Sequence, residues 1–339
     1  MKIDIGKNCD INILKGTTYK DFKKQNLISK KVASAFLKSK NKKVFKSCLI
    51  CNHKKLKLVT KILKIEFLQC KKCDHVFSKY KYSEKFTKNF WKKQGDIINV
   101  HSHQNQQKYR SKFLSEPKVN KVLKFVKKKY KYIKWLDLGC GNGEFLLPAK
   151  KRGIKVYGFD LNQKDIKYAK RKGINAYQKN FHEFYNFAKL RNLKFDIASA
   201  TGYFDMIENP TDEIKKLKNL LNKDALLMID LPDFNSVTHE MIKSFPNESI
   251  RHLNACQMSS FTFKSLSYLL KKNGFKIIFR WYYGLDFYMI MNYLSQKNKR
   301  LEKSIIMKTM VKKYSKFQRI FDEEKVSDTI FLIAKKIRG

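Results

Sequence analysis

From residue 131 onward the chain alternates two hydrophobic periodicities. Short apolar, β-prone runs fall at 133–138, 155–160, 174–177, 195–200, 225–230, 275–283 and 328–335. Between them lie stretches with helical spacing at 144–152, 163–172, 211–222 and 262–272. Strands that alternate with amphipathic helices predict an α/β domain on a mainly parallel sheet. Pro148 sits inside the first helical stretch and is expected to kink it. Asn273-Gly274 stops the last one. A Lys-rich block at 285–326 has helical spacing and reads as an insertion ahead of the final strand.

The front of the chain is patterned differently. Phe22, Leu27, Ile28, Val32, Ala33, Phe36 and Leu37 make one apolar helix stripe. The tract 101–110 is polar, a loop or a solvated helix, in which His101 and His103 read as surface residues. Glu116-Pro117 then introduces a helix over 118–130. The expected organisation is a basic segment 1–45, a small ribbon 46–80, a helical connector 81–130, an α/β domain 131–284 with 327–337, and the insertion 285–326.

Composition narrows the class. Of 339 residues 43% are hydrophobic, enough for a sizeable core and against wholesale disorder. The formal charge of +45 points to a nucleic-acid or anionic-membrane partner, or to compositional bias. Only nine of the 74 basic residues are Arg, the lysines are spread along the chain, and Asn, Ile, Phe and Tyr are abundant too. Dedicated RNA binders lean on Arg for bidentate and stacking contacts, so bias is the better account. The first residues lack an apolar signal core, and no apolar run is long enough to span a bilayer. A cytoplasmic protein without a transmembrane segment is expected.

Candidate chemistry concentrates in two places. In 133–160, IKWLDLGCGNGEFLLPAKKRGIKVYGFD, a strand carries Asp137, a loop has glycines at 139, 141 and 143, and a second strand ends on Asp160. Glycines let backbone approach a ligand closely, and the following helix turns its free N–H groups toward the same point. Asp160 is placed to accept hydrogen bonds from ribose hydroxyls. The spacing is not the G-x-G-x-x-G of dinucleotide folds, and Asp137 would repel a phosphate. The second place is Cys48, Cys51, Cys70 and Cys73, a C-x2-C pair repeated across two strand-like runs. Four thiolates at this spacing fit a closed, structural zinc site; disulfides or free thiols are the alternatives. His53 and His75 flank the knuckles as substitute ligands, and Cys9, Cys140 and Cys256 read as free thiols.

The run D137-L-G-C-G-N-G143 together with G-F-D160 resembles the first motifs of class I S-adenosylmethionine (SAM)-dependent methyltransferases. With the four-cysteine ribbon in front, the chain resembles the sugar methyltransferase group. The resemblance covers roughly 46–80, 130–283 and the last strand, and includes KVYGFDLN and HLNACQMSSFTFKSLSYLLKKNGFKI. It implies a Rossmann-like seven-stranded sheet whose last strand runs antiparallel between the fifth and sixth. It implies SAM as cofactor, held by Asp137, Gly139, Gly141, Gly143, Asp160 and Leu161, with Asn180 and Phe181 bordering the adenine. It implies a small-molecule acceptor, a nucleotide-linked sugar or surface-glycan precursor, with His252 near it. Relatives carry Glu-His before the Asn-Pro that follows the fourth strand; here Asp205-Met206 stands there, and a thioether carries no proton. His252, Tyr203 and His239 remain as base candidates. An RNA methyltransferase using the ribbon to hold substrate is the alternative, and a non-catalytic SAM-binding scaffold the third reading.

Overall fold

The structure is a computed structural model that describes residues 1–7, 19–40, 42–83, 86, 109–248, 252–253 and 257–337. Its centre is an eight-stranded mixed sheet in the order β1-β13-β14-β11-β10-β7-β8-β9. Those strands are β1 (Lys2–Ile5), β7 (Lys134–Leu138), β8 (Lys155–Asp160), β9 (Asn175–Gln178), β10 (Phe195–Thr201), β11 (Leu221–Pro232), β13 (Phe275–Tyr282) and β14 (Thr329–Lys336). β14 pairs antiparallel with both β11 and β13, while β7, β8, β9, β10 and β11 run parallel. This is a Rossmann-like sheet, with its last strand where the resemblance put it.

The sheet is buried on both faces. Strand alternation sends Leu136 and Leu138 into a core with Phe159, Phe184, Leu227 and Leu332, and Trp135 into an opposite core with Val156, Ile197, Met228 and Ile333. Fully burying a side chain of this size contributes about 2 kcal/mol, so neither face tolerates a register slip. The seven strands other than β14 run in one direction and end along one edge, where Leu138, Asp160 and Thr201 open into loops.

Several local expectations change. The helix expected over 144–152 is a 3-10 turn, Glu144–Leu146, followed by a helix Leu147–Lys151. Pro148 lies in the first turn of that helix, where its missing N–H has no intrahelical partner to lose, so no kink forms. The connector helix spans Glu116–Leu123 and ends well before 130. β11 begins at Leu221, directly after the helix Pro210–Leu220. β1 adds an eighth strand, parallel to β13, from a segment with no evident role in the sequence.

The cysteine segment forms a second sheet, β12-β5-β4-β3, built from β3 (Leu56–Ile62), β4 (Ile65–Cys70), β5 (Val76–Ser78) and β12 (Ser259–Ser260). Cys48, Cys70 and Phe77 share the hydrophobic core under one face of the large sheet. The block 285–326 forms the helices Asp286–Lys297, Ile305–Lys312 and Tyr314–Glu323 around Phe287, Met289, Tyr293, Met307 and Tyr314. Asp286 fastens this block. It accepts hydrogen bonds from Thr238 N–H and Oγ1–H, Asp328 N–H and Gln318 Nε2–H.

Candidate functional site

The glycine loop leaves β7 with Gly139, Gly141 and Gly143 all at positive φ, 66°, 49° and 76°. Each is a left-handed position where a side chain is strained. A β-carbon on Gly143 would lie 2.2 Å from Ile174 Cδ1, and one on Gly139 would lie 2.8 Å from Tyr203 Cδ2. At Gly141 a β-carbon would meet nothing within 4 Å, so the middle of the loop faces open space.

Asp160 closes this loop from the end of β8. Its Oδ2 accepts the Gly141 N–H at 3.1 Å, and its Oδ1 accepts the Asn162 N–H at 2.9 Å. Burial pushes its carboxyl above the ordinary value, against the pull of the Asn162, Gly141 and Leu161 amides. Asp137 lies beneath the loop and is 3% exposed. Ser199 Oγ–H donates to its Oδ1 at 2.6 Å, while Trp135 Nε1–H donates to Ser199 at 2.8 Å. Burial pushes Asp137 up to about 7. Lys118 pairs with Asp230 close by, and its charge acts on Asp137 as well.

The Leu161 amide favours the Asp160 carboxylate. Phe181 is buried, its ring 5.9 Å from Phe159. Asn180 is committed locally: its side-chain oxygen accepts the Glu183 N–H and Glu183 returns the bond, a capping box that starts the helix Phe181–Leu190. Asn180 therefore orders the loop, and its Oδ1 is occupied.

Tyr203 lies on the loop, its ring 5.9 Å from Phe159 and against Gly139. Its hydroxyl donates to Glu213 Oε2 at 2.7 Å. Burial and then the Glu213 charge push the phenol well above its usual value, so Tyr203 holds its proton. Burial likewise pushes Glu213 up to about 7. Asp205, two residues on, is pushed by burial up to about 6; its Oδ2 accepts Gln257 Nε2–H at 2.8 Å and its Oδ1 has no hydrogen-bond partner. The proton-accepting groups beside the loop are therefore carboxylates. Glu213 carried no sequence signal, because its role depends on a helix packed across the loop.

His252 lies elsewhere. Its Nε2 is 3.5 Å from Asp328 Oδ2, and its ring stacks on His239 at 5.4 Å. Asp328 precedes β14, and β11 and β10 separate β14 from β7, a lateral distance on the order of 14 Å. His239 is bonded to Ser236 Oγ at 2.9 Å and pushed well below its ordinary value by burial, so it stays neutral. The structure thus joins Asp137, the three glycines, Asp160 and Tyr203, and groups the two histidines with each other beside Asp328. Cys9, Cys256, His101 and His103 lie outside the described residues.

The four cysteines converge. All four sulfurs lie within 4.8 Å of one another, with Cys48–Cys73 and Cys51–Cys70 both at 3.5 Å. The two knuckles repeat one hydrogen-bond pattern. Cys48 N–H donates to His53 O and Asn52 N–H to Cys48 O; Cys70 N–H donates to His75 O and Asp74 N–H to Cys70 O. Asn52 and Asp74 both adopt positive φ, which these residue types tolerate best after glycine. Ile50 and Lys72 amides point at the Cys48 and Cys70 sulfurs. Amides aimed at clustered sulfurs stabilise thiolates, and the set fits a tetrahedral zinc ion. The clustered set is the four cysteines, and His75 turns its ring away to Ser259, where burial pushes it down to about 3.

Residues 103–278 match the family model described as a methyltransferase domain. Over 154 residues, 43% of the chain, it is 27% identical to the ubiquinone biosynthesis O-methyltransferase of Pelagibacter ubique (strain HTCC1062). Over 160 residues it is 24% identical to a Geobacillus sp. (strain WCH70) protein whose name carries the term methyltransferase. The chain spans 64% and 62% of the length of these curated relatives. Among solved structures, magnesium protoporphyrin IX methyltransferase from Synechocystis PCC 6803 with bound SAH superposes over 75% of this chain and 100% of its own. Its TM-score is 0.47 at 12% identity.

Proposed function

As the chain belongs to the methyltransferase-domain family, we propose that it is a SAM-dependent methyltransferase acting on a small-molecule acceptor. The observation that carries this is the Asp160–Gly141 contact. It holds an acidic group and an open, side-chain-free loop face to face, as a nucleoside with a cationic sulfur requires. SAM supplies a sulfonium methyl group for in-line displacement. Asp160 would take the ribose hydroxyls, Asp137 and the loop amides would orient the methionine end, and Phe181 would pack near the adenine. Alignment of donor and acceptor supplies most of the acceleration. Where the acceptor is a hydroxyl or a carbon acid, its proton passes to a carboxylate, Glu213 through Tyr203 or Asp205 directly, both raised toward neutrality. His252 is assigned to the acceptor side.

A nucleotide-linked sugar or surface-glycan precursor is the acceptor class favoured by the ribbon-plus-domain resemblance. Similarity to an enzyme named for ubiquinone biosynthesis also supports a small molecule. The β5 edge of the ribbon pairs with β12, which makes that side a wall of this domain. Zinc at Cys48, Cys51, Cys70 and Cys73 has a structural role. No helix among the described residues is long and apolar enough to cross a membrane.

Calorimetric titration with SAM tests the reading. Binding is expected at micromolar levels, and Asp160→Ala weakens it tenfold or more. No binding at millimolar SAM removes the enzyme, and unchanged affinity in the variant removes Asp160 from the site.

A further inference from the structure

β12 is a strand of two residues, too short to persist alone. Its strand partner is β5 of the ribbon, with Ser259 opposite Phe77 and Ser260 opposite Val76. Ser78 N–H adds a bond to Met258 O at 2.9 Å. The backbone of this segment thus continues the metal-bearing sheet, although more than 170 residues of chain lie between Cys73 and Ser259.

One residue joins the two directly. The His75 amide favours the Cys73 thiolate, and His75 O accepts the Cys70 N–H at 2.9 Å. Its backbone is therefore part of the second knuckle. Its side chain leaves the knuckle: Nε2 lies 3.2 Å from Ser259 Oγ, and the ring packs 4.8 Å from Phe261. The ring is wholly buried there.

From Ser259 the contacts run on to the loop after β10. Ser259 N–H donates to Asp205 O at 3.0 Å, and Gln257 Nε2–H to Asp205 Oδ2 at 2.8 Å. Thr262 caps the next helix, and Phe261 O accepts the Phe234 N–H beyond β11. Segment 257–262 is thereby a wall between the ribbon, the Asp205 loop and the end of β11. The glycine loop meets the Asp205 loop through the Tyr203 ring against Gly139, but its backbone bonds go elsewhere: Gly141 N–H to Asp160, Cys140 N–H to Phe159 O and Gly143 N–H to Cys140 O.

We infer that His75 is a positioning residue through which the ribbon's metal site orders the acceptor-side wall 257–262 and the Asp205 loop, while the cofactor loop keeps its order independently. The acceptor-side label rests on the methyltransferase reading; the linkage itself does not. The ion then does more than stiffen the ribbon. It fixes the carboxylate at Asp205 and the wall the acceptor meets.

Amide hydrogen exchange by mass spectrometry on the full chain tests this, in the zinc-loaded protein, after chelation, and in zinc-loaded His75→Ala. Peptides covering 257–262 are expected to exchange at least tenfold faster in the last two. Peptides covering 134–143 stay unchanged, and SAM affinity by calorimetry stays within twofold. His75→Gln, which keeps a hydrogen-bonding group for Ser259, restores part of the protection. Unchanged exchange at 257–262 in either the stripped protein or His75→Ala overturns the inference, as does parallel loosening of 134–143. Failure of SAM to bind the intact protein would sink the methyltransferase reading alone, since the exchange comparison needs no cofactor.

Discussion

The ring of Tyr203 lies so close to Gly139 that a β-carbon on the glycine would come within 2.8 Å of its Cδ2. The loop after β10 is thereby packed directly on the loop after β7. One glycine serves two ends: it adopts φ 66° and it makes room for an aromatic lid over the site.

Gly139→Ala meets both costs, left-handed strain of about 1–2 kcal/mol and displacement of the Tyr203 ring. Gly141→Ala meets the strain alone, because nothing lies within 4 Å of its β-carbon position. Urea unfolding should therefore show a larger loss for Gly139→Ala. SAM calorimetry should show both variants weakened, since the open face at Gly141 is where the cofactor would lie. Equal stability losses would mean that the Tyr203 contact carries no weight.

Ser199 accepts from Trp135 and donates to Asp137, so Ser199→Ala leaves a buried indole N–H and a buried carboxyl each one bond short. An unsatisfied buried group costs about 1–3 kcal/mol. We expect a loss of that order in chemical unfolding, accompanied by a shift in the emission of Trp135. Ser199→Thr, which keeps the hydroxyl, should recover part of the stability.

Lys118 and Asp230 form a buried ion pair, with side chains 11% and 9% exposed, and Tyr283 O–H donates to the same carboxylate oxygen at 3.1 Å. Lys118→Met leaves the buried Asp230 short of its cation, a change that costs about 3 kcal/mol or more. A lowered melting temperature should follow, and Asp230→Asn in the same background should restore part of it. A Lys118→Met protein as stable as the parent would show that the pair is solvated.

Glu213 is raised from its ordinary 4.5 to about 7 on folding. The folded chain then holds more protons than the unfolded chain between those values. Its stabilising contribution is fully present below about 4.5 and is lost as pH rises through about 7. Glu213→Gln, which keeps an oxygen for the Tyr203 hydroxyl, should flatten that part of the stability–pH curve. Unfolding free energies measured at about pH 5 and pH 8 check this: the parent should lose more between them than the variant.

Metal analysis of the purified protein should find a single zinc per chain, absent from Cys73→Ser. Its removal should lower the melting temperature of the ribbon's contribution to the shared core, where Cys48, Cys70 and Phe77 pack with residues of the large sheet. Full zinc occupancy in Cys73→Ser would place the ion elsewhere.

Much of this molecule is local in origin, and that part was legible in the chain. The run Asp137 to Gly143 needs only its own residues to turn, because glycine alone relaxes at those φ values. Asp160 terminates a strand whose length its own apolar run sets. The two C-x2-C knuckles repeat one hydrogen-bonded turn within a few residues each, so spacing was enough to identify them. The alternating periodicities located strands and helices along the chain, while the place of the last strand in the sheet came with the resemblance. What spacing does not contain is which distant surfaces meet. That Lys2–Ile5 joins the sheet beside β13 depends on an edge hundreds of residues away. Asn180 is a helix cap because Glu183 reaches back to it. Glu213 takes the Tyr203 hydroxyl, and His75 faces Ser259 rather than the thiolates, because helix and ribbon pack across loops the chain reaches much later. Burial decides those roles, since a carboxyl or an imidazole acquires its charge state only from the groups that exclude water around it.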